Sequence, residues 1–411
     1  MDMNRLVKLY GGEKAAERQL ARFDSLRANF ARHFGDSANT ELISAPGRTE
    51  IAGNHTDHNF GCVLAASVDM DTVACVRKTE NNIVTLYSDG YDKPFVVDVS
   101  DLTVHEDEKE TTFALIRGVA ACLANAGYKV GGFEAEVTST VMRGSGLSSS
   151  AAFEVLLVSI NDALYNGWTV DAQLNARLSQ QAENQYFLKP CGLMDQMASA
   201  VGGLVAIDFE NGGAKVEALS YDFAAKGYTV CVVSAGGDHG NLTNEYAAIP
   251  AEMKKVASLL GGSVLREVAD KVETSIPALK GKVNDRAILR ALHFVDENRR
   301  VSEMVNALRN DDIQAFFKGI IASGESSWKL LQNLCVPGRD NQEMPLALEM
   351  SRRMLEGKGA WRIHGGGFAG TILAFVPTDM FDAYRKAMDS VFGDDAVKPL
   401  YVRPEGAVWL K

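Results

Sequence analysis

The sequence predicts an α+β protein built as two domains, and three observations carry that expectation. The chain has 411 residues, more than one hydrophobic core usually organises. Strand-like and helix-like segments mix in both halves without the regular βαβ rhythm of a parallel sheet. Between residues 210 and 226, the stretches Asn-Gly-Gly-Ala-Lys and Ala-Ala-Lys-Gly-Tyr bracket a short strand-like run. That puts one domain at residues 1–218 and the other at residues 219–411.

Each element follows from its local pattern. Residues 12–34 carry apolar side chains at helical spacing and predict an amphipathic packing helix. The pattern turns strand-like over 43–77, interrupted by a polar loop at 53–61. Residues 83–87 and 95–99 read as further strands around an Asp89-Gly90 turn, 112–127 as a helix and 132–142 as a strand. A glycine- and serine-rich turn then feeds an apolar helix at 151–164. Past the boundary come a strand at 228–234 and a mostly helical block from 242 to about 354. Strands at 361–364 and 371–376 flank a triple glycine, and a helix at 378–391 and two closing strands finish the chain.

Bulk composition narrows the function. Hydrophobic residues are 46% and charged residues 23%, an ordinary globular mixture. A net charge of −11 and a pI near 5.2 exclude a general nucleic-acid binder, while leaving room for an anion held by backbone N–H groups. Mean hydropathy is −0.08 and no long uncharged apolar run exists, so no membrane partner is expected. The first 22 residues are charged throughout and lack the apolar core of a signal peptide. The six cysteines form no Cys-x-x-Cys pair and read as reduced thiols, so the expected setting is cytoplasmic.

Three constellations bear chemistry. The first is Arg143-Gly-Ser-Gly-Leu-Ser-Ser-Ser-Ala-Ala152, between a predicted strand and a predicted helix. Glycines let backbone approach an anion, free N–H groups at a helix start point toward it, and serine oxygens suit Mg2+. A serine-capped helix after a tight turn is the plainer alternative. The second is Gly47-Arg-Thr-Glu-Ile-Ala-Gly-Asn-His-Thr-Asp-His58, dense in groups that exchange hydrogen bonds with a hydroxyl-rich ligand, or simply a solvated loop. The third is Ala-Glu-Asn-Gln-Tyr-Phe-Leu-Lys-Pro-Cys-Gly-Leu-Met-Asp-Gln over 182–196, with Asp195 among apolar neighbours. Such an acid either caps a helix or is kept for a task.

Together these segments resemble the galactokinases, members of the GHMP kinases for galactose, homoserine, mevalonate and phosphomevalonate. Galactokinases carry Gly-Arg-Val-Asn-Leu-Ile-Gly-Glu-His-Thr-Asp-Tyr where this chain has residues 47–58. They also carry Gly-x-Gly-Leu-Ser-Ser-Ser-Ala, matched by residues 144–151, and Ala-Glu-x7-Cys-Gly-Ile-Met-Asp-Gln, matched from Ala182-Glu183 to Gln196. Their Arg-Met-Thr-Gly-Gly-Gly-Phe-Gly-Gly is matched by residues 362–370. Four blocks in the right order identify the chain as a member of this family. The resemblance implies a two-domain GHMP kinase fold, the N-terminal domain like the second domain of ribosomal protein S5 and the C-terminal one ferredoxin-like.

It also implies roles. Gly144, Ser145, Gly146, Leu147, Ser148, Ser149 and Ser150 would wrap the ATP phosphates, and Ser150 with Glu183 would hold Mg2+. Asp195 would accept the proton of the sugar's anomeric hydroxyl, and Arg48 would orient that aspartate and steady the moving phosphoryl group. Asn54, His55, Asp57 and Tyr246 match sugar-contacting positions. Gly365, Gly366 and Gly367 would bring backbone close to the ligands. The expected product is galactose 1-phosphate, and the expected state a monomer or weak homodimer.

The chain departs from the motifs at Thr49, Glu50, Asn54, His58 and His364. Glutamate at position 54 normally reads the sugar's C6 hydroxyl, so Asn54 opens the alternative of a C6-altered substrate such as galacturonate or L-arabinose. A catalytically silent sugar sensor is a further alternative, opposed by the intact serines and by Asp195.

Overall fold

The computed structural model describes residues 2–141, 146–189, 191–236, 242–368 and 370–411. Twelve strands fall into two sheets. The first is built from β1 (Glu41–Ala52), β2 (Cys62–Lys78), β3 (Ile83–Ser88), β4 (Phe95–Asp98), β5 (Phe133–Ser139), β6 (Leu204–Asp208) and β7 (Lys215–Leu219). The second holds β8 (Tyr228–Gly236), β9 (Ala360–His364), β10 (Gly370–Pro377) and β11 (Val397–Leu400). The last strand, β12 (Val408–Trp409), returns to the first sheet and pairs with β1.

The first sheet runs β12-β1-β2-β5-β3-β4, with β6 and β7 branching from β2. β2 is 17 residues long, rich in valine and alanine and buried along most of its length, so one half pairs with β6 and the other with β5. Its antiparallel pairing with β1 shifts register between Pro46 and Arg48 and again between Glu50 and Ala52. Bulges of this kind re-aim side chains. The short segment between them carries Arg48 and Glu50, two residues apart and therefore on one face.

The second sheet is wholly antiparallel in the order β11-β8-β10-β9, the arrangement of a ferredoxin-like βαββαβ unit. Helices Glu343–Leu355 and Phe381–Phe392 cover one face through Leu348, Tyr384 and Met388. On the other face Phe223, Phe316, Phe317 and Phe375 stack at tilted and edge-on angles and join a core shared with Ile51, Leu64 and Leu204 of the first sheet. Truncating one such ring to alanine removes about 3–5 kcal/mol. This shared core fixes how the two sheets face each other.

The expected elements appear with shifted ends. The helix expected over 151–164 starts earlier, as Ser149–Asn161, and runs into a π-helical turn, Asp162–Asn166. Helix Ala172–Ala182 and strand β6 lie where the sequence pattern predicted no element. Among the described residues no helix is long and apolar enough to cross a membrane.

Candidate active site

The site forms where the bulged end of β1 meets the N-terminus of helix Ser149–Asn161 and the first turn of helix Met194–Val201. Arg48 Nε donates to Asp195 Oδ1 at 2.6 Å and Arg48 Nη2 to Oδ2 at 2.6 Å, the two-point geometry guanidinium makes with carboxylate. The third nitrogen, Nη1, donates to the carbonyl of Gly146. Ser148 Oγ adds a bond to Asp195 Oδ2 at 2.7 Å. Burial pushes the Asp195 carboxyl up, but Arg48 and then the Ser148 hydroxyl overcome this and hold it below the usual carboxylate range. Arg48 is sealed, with 8% of its side chain exposed, whereas Asp195 keeps 30%. The acid faces the opening and the arginine stands behind it.

The turn before the helix supports this pair. Gly146 has a φ of 73°, and a Cβ there would lie 2.8 Å from His364 Nδ1, so glycine is required twice over. The buried Leu147 accepts the Arg48 amide through its carbonyl at 3.0 Å. Ser148 takes a left-handed conformation, φ 59°, rare for a residue with a side chain. It aims its hydroxyl at Asp195 while Ser149 and Ser150 begin the helix, whose first N–H groups lack intrahelical acceptors. Gly144 and Ser145, also expected in this loop, lie outside the described residues.

Behind Asp195 sits a second acidic group. Glu183 opens a π-helical turn, Glu183–Phe187, and its Oε2 accepts from Gln196 Nε2 at 2.9 Å. The same nitrogen donates to Glu154 Oε2 at 3.0 Å. Burial raises both carboxyls, Glu154 well above its usual range with Glu183 adding repulsion. Glu154 Oε1 and Gln196 Oε1 are buried and, among the described residues, without a hydrogen-bond partner. Ser150 lies four residues before Glu154, one turn away on the same helix face. Orphaned oxygens beside raised carboxyls and a serine are the hard donors Mg2+ takes. The residues fit that ion.

Loop 53–61 is held from both domains. Long helix Asp285–Arg309 reaches the loop at two points and the start of β2 at a third. His293 Nε2 donates to the Asn54 carbonyl at 2.9 Å, Glu297 Oε1 accepts from Gly53 N at 3.0 Å, and Asn298 Oδ1 accepts from Cys62 N at 2.7 Å. His55 Nε2 donates to the Gly366 carbonyl at 2.9 Å, and Tyr246 Oη to the Gly367 carbonyl at 2.8 Å. Burial, with His58 nearby, lowers the His55 ring to about 4 despite the Gly366 carbonyl. Asp57 packs on Gly192, where a Cβ would stand 1.7 Å from Oδ2. Loop 53–61, the triple glycine and the segment leading to Asp195 thus come together.

Asn54 departs from its expected place. It has no exposed surface, and its Nδ2 donates to Glu50 Oε1 at 2.9 Å and to the Gly365 carbonyl at 2.8 Å. Its Oδ1 accepts from Asn333 Nδ2 at 2.7 Å and from Ser327 Oγ at 3.3 Å. Every amide valence is filled by protein, so Asn54 supports the loop from beneath and reads no C6 hydroxyl in this arrangement. Glu154, His293 and Asn333 escaped the sequence reading, and Gln196 closed a motif block without being given a role. For Glu154 the available signal was a lone acid in an apolar helix, one turn past the last serine.

Next to Ser149 and Ser150 opens a cleft of about 320 Å3 lined by Tyr91, Phe95, Leu115, Phe153 and Phe187, apolar walls suited to a flat aromatic ring.

The chain is similar to known proteins over most of its length. Residues 28–78 match the galactokinase galactose-binding signature and residues 114–203 the GHMP kinases N-terminal domain. A galactokinase of Streptomyces coelicolor is 32% identical over 365 residues, covering 86% of this chain and 89% of its own. One from Glaesserella parasuis is 29% identical over 366 residues, covering 88% and 91%. The crystal structure of Lactococcus lactis galactokinase complexed with galactose superposes with a TM-score of 0.83 at 25% identity, covering 94% of this chain and 100% of that one. Mevalonate kinase of Methanococcus jannaschii shares the fold, with a TM-score of 0.64 at 14% identity over 89% of this chain and 99% of its own.

Proposed function

The chain belongs to the galactokinase family, within the GHMP kinases, and we propose that it transfers the γ-phosphoryl group of ATP to the C1 hydroxyl of galactose, giving galactose 1-phosphate and ADP. The observation that carries this reading is the grip of Arg48, which holds Asp195 with two nitrogens and the phosphate turn at Gly146 with the third. Proton acceptor and phosphate cradle are thereby one rigid unit, and phosphoryl transfer depends chiefly on positioning and charge neutralisation.

Asp195 takes the proton from the C1 hydroxyl as the oxygen bonds to the γ-phosphorus and the bond to ADP breaks. A carboxylate held below its usual range is a weak base, so it takes the proton late, once the new bond has acidified the hydroxyl. Arg48 and the helix N-terminus face the charge that gathers on the phosphoryl oxygens. His55, Asp57 and Tyr246 border the sugar, with Asn54 bracing the loop. The adenine ring occupies the cleft beside Ser149. Ser150 and Glu183, with Glu154 behind, would hold Mg2+, which when bound would neutralise phosphate charge. The cysteines are all free among the described residues, in keeping with a cytoplasmic enzyme.

ADP release measured with purified protein, ATP, Mg2+ and a panel of hexoses tests the reading. Galactose is expected to give the highest kcat/KM, and the absence of galactose-dependent ADP release overturns it.

A further inference from the structure

Arg362 on β9 has no exposed surface. Its Nη2 donates to Glu50 Oε1 at 3.0 Å and its Nη1 to the Ile51 carbonyl. Among the described residues Glu50 is the one acid within ion-pair distance of it. The Glu50 oxygen that meets Arg362 also accepts the Asn54 amide. Arg362 therefore meets its carboxylate at an oxygen that the side chain of position 54 also touches. The galactokinase motif has asparagine where this chain has Glu50 and glutamate where it has Asn54, with the arginine kept. Two changes that look unrelated in the sequence are partners in one buried contact.

We propose that Glu50 and Asn54 act as a single exchanged unit, a carboxylate–amide pair that positions the sugar loop and keeps its negative charge on β1 rather than beneath the sugar. The unit ties β1 to Arg362 of the second sheet and, through Asn54, to Gly365 and Asn333. Asn333 Nδ2 also donates to the Gly366 carbonyl at 3.0 Å, the oxygen that His55 uses. Moving the charge between the positions keeps the tie to Arg362 but changes the field at the pocket floor. Altering one position alone leaves either a buried arginine without a counterion or two buried carboxylates in contact, both costly.

The proposal rests on the galactose reading and is tested by a four-protein cycle: wild type, Glu50→Asn, Asn54→Glu and the double variant. Each single variant is expected to raise galactose KM at least tenfold with kcat changed less than threefold, and the double to return KM to within threefold of wild type. The double should also weaken inhibition by D-galacturonate at least fivefold, an effect that simple restoration of folding does not produce. Single effects that multiply in the double, or unchanged galacturonate inhibition, overturn the proposal. Where a single variant does not fold, the size-preserving Glu50→Gln serves in its place; a fivefold rise in galactose KM is expected, and an unchanged KM counts against the pair. Melting temperatures of the four proteins report the coupling independently, so a wild type inactive on galactose would sink the functional reading and leave the pair to be judged on its own.

Discussion

Gly192 and Asp57 are in direct contact, so close that a Cβ on the glycine would lie 1.7 Å from Asp57 Oδ2. The glycine stands three residues before Asp195, and the aspartate belongs to loop 53–61. Their contact ties loop 53–61 to the segment that carries Asp195. Gly192→Ala must push Asp57 aside, although Asp57 Oδ1 is tied to His58 N at 3.0 Å. We expect galactose KM to rise about tenfold, the scale of one hydrogen bond to a charged group, with ATP KM within twofold of wild type. Steady-state kinetics with each substrate varied in turn decide this, and an unchanged galactose KM would remove Asp57 from the sugar site.

Asp195→Asn keeps the size of the side chain and removes its capacity to take a proton. It should lower kcat by about 10²-fold or more, the ordinary contribution of a general base, with smaller effects on galactose and ATP binding. Arg48→Ala should depress kcat as well, because it frees both Asp195 and the turn at Gly146. Turnover of Asp195→Asn at near the wild-type rate would place the chemistry elsewhere.

Three histidines around the site give a pH signature. Burial lowers His55 to about 4 and also lowers His293 and His364, the last with Arg48 and Arg362 adding repulsion. An unfolded chain takes up these protons near pH 6.5, whereas the folded chain does so only at lower pH. Stability from neutral histidine is therefore complete above about pH 6.5 and is lost as pH falls toward the folded values. Melting temperature should drop between pH 7.5 and 5, and His364→Thr should make that drop shallower. His55 stays neutral from pH 6 to 8, so galactose KM should be flat there. A several-fold rise with a midpoint near 6.5 would contradict the neutral assignment.

The fold class and the segments that carry the candidate pair Arg48 and Asp195 were legible because their signals are local and glycine-punctuated. Gly146, Gly192, Gly366 and Gly367 stand where a side chain would strike a neighbour, and such positions leave a mark on the sequence. Asp195 and Arg48, 147 residues apart, were joined by the order of the motif blocks; no periodicity links them. The burial of Asn54 could not be read, since a polar loop looks solvated until helix Asp285–Arg309 is seen to cover it. Glu154 was hidden by its apolar helix, and Asn333 by lying in no motif at all. Their roles arise from contacts between segments far apart in the chain.

Glu154 supplies the last prediction. It is fully buried, shares the Gln196 amide with Glu183 and has an oxygen with no partner among the described residues. Both carboxyls are raised, by burial first. A raised carboxyl keeps its proton to higher pH than in the unfolded chain, so the charge that attracts a cation appears only as pH rises through the raised value. The Mg2+ concentration for half-maximal turnover should therefore increase as pH is lowered from 8 to 6, and chelation should abolish galactose-dependent ADP release. Glu183→Ala should raise the Mg2+ requirement at every pH, by tenfold or more if it is a direct ligand. Glu154→Gln keeps the volume and the contact to Gln196 but removes one titrating group and its repulsion of Glu183. It should lower the Glu183 value and flatten the pH dependence of the Mg2+ requirement without abolishing turnover. Titrating Mg2+ against ADP release at five pH values in wild type and both variants separates the roles. A Mg2+ requirement independent of pH in wild type, or equal slopes in wild type and Glu154→Gln, would leave Glu154 a packing residue.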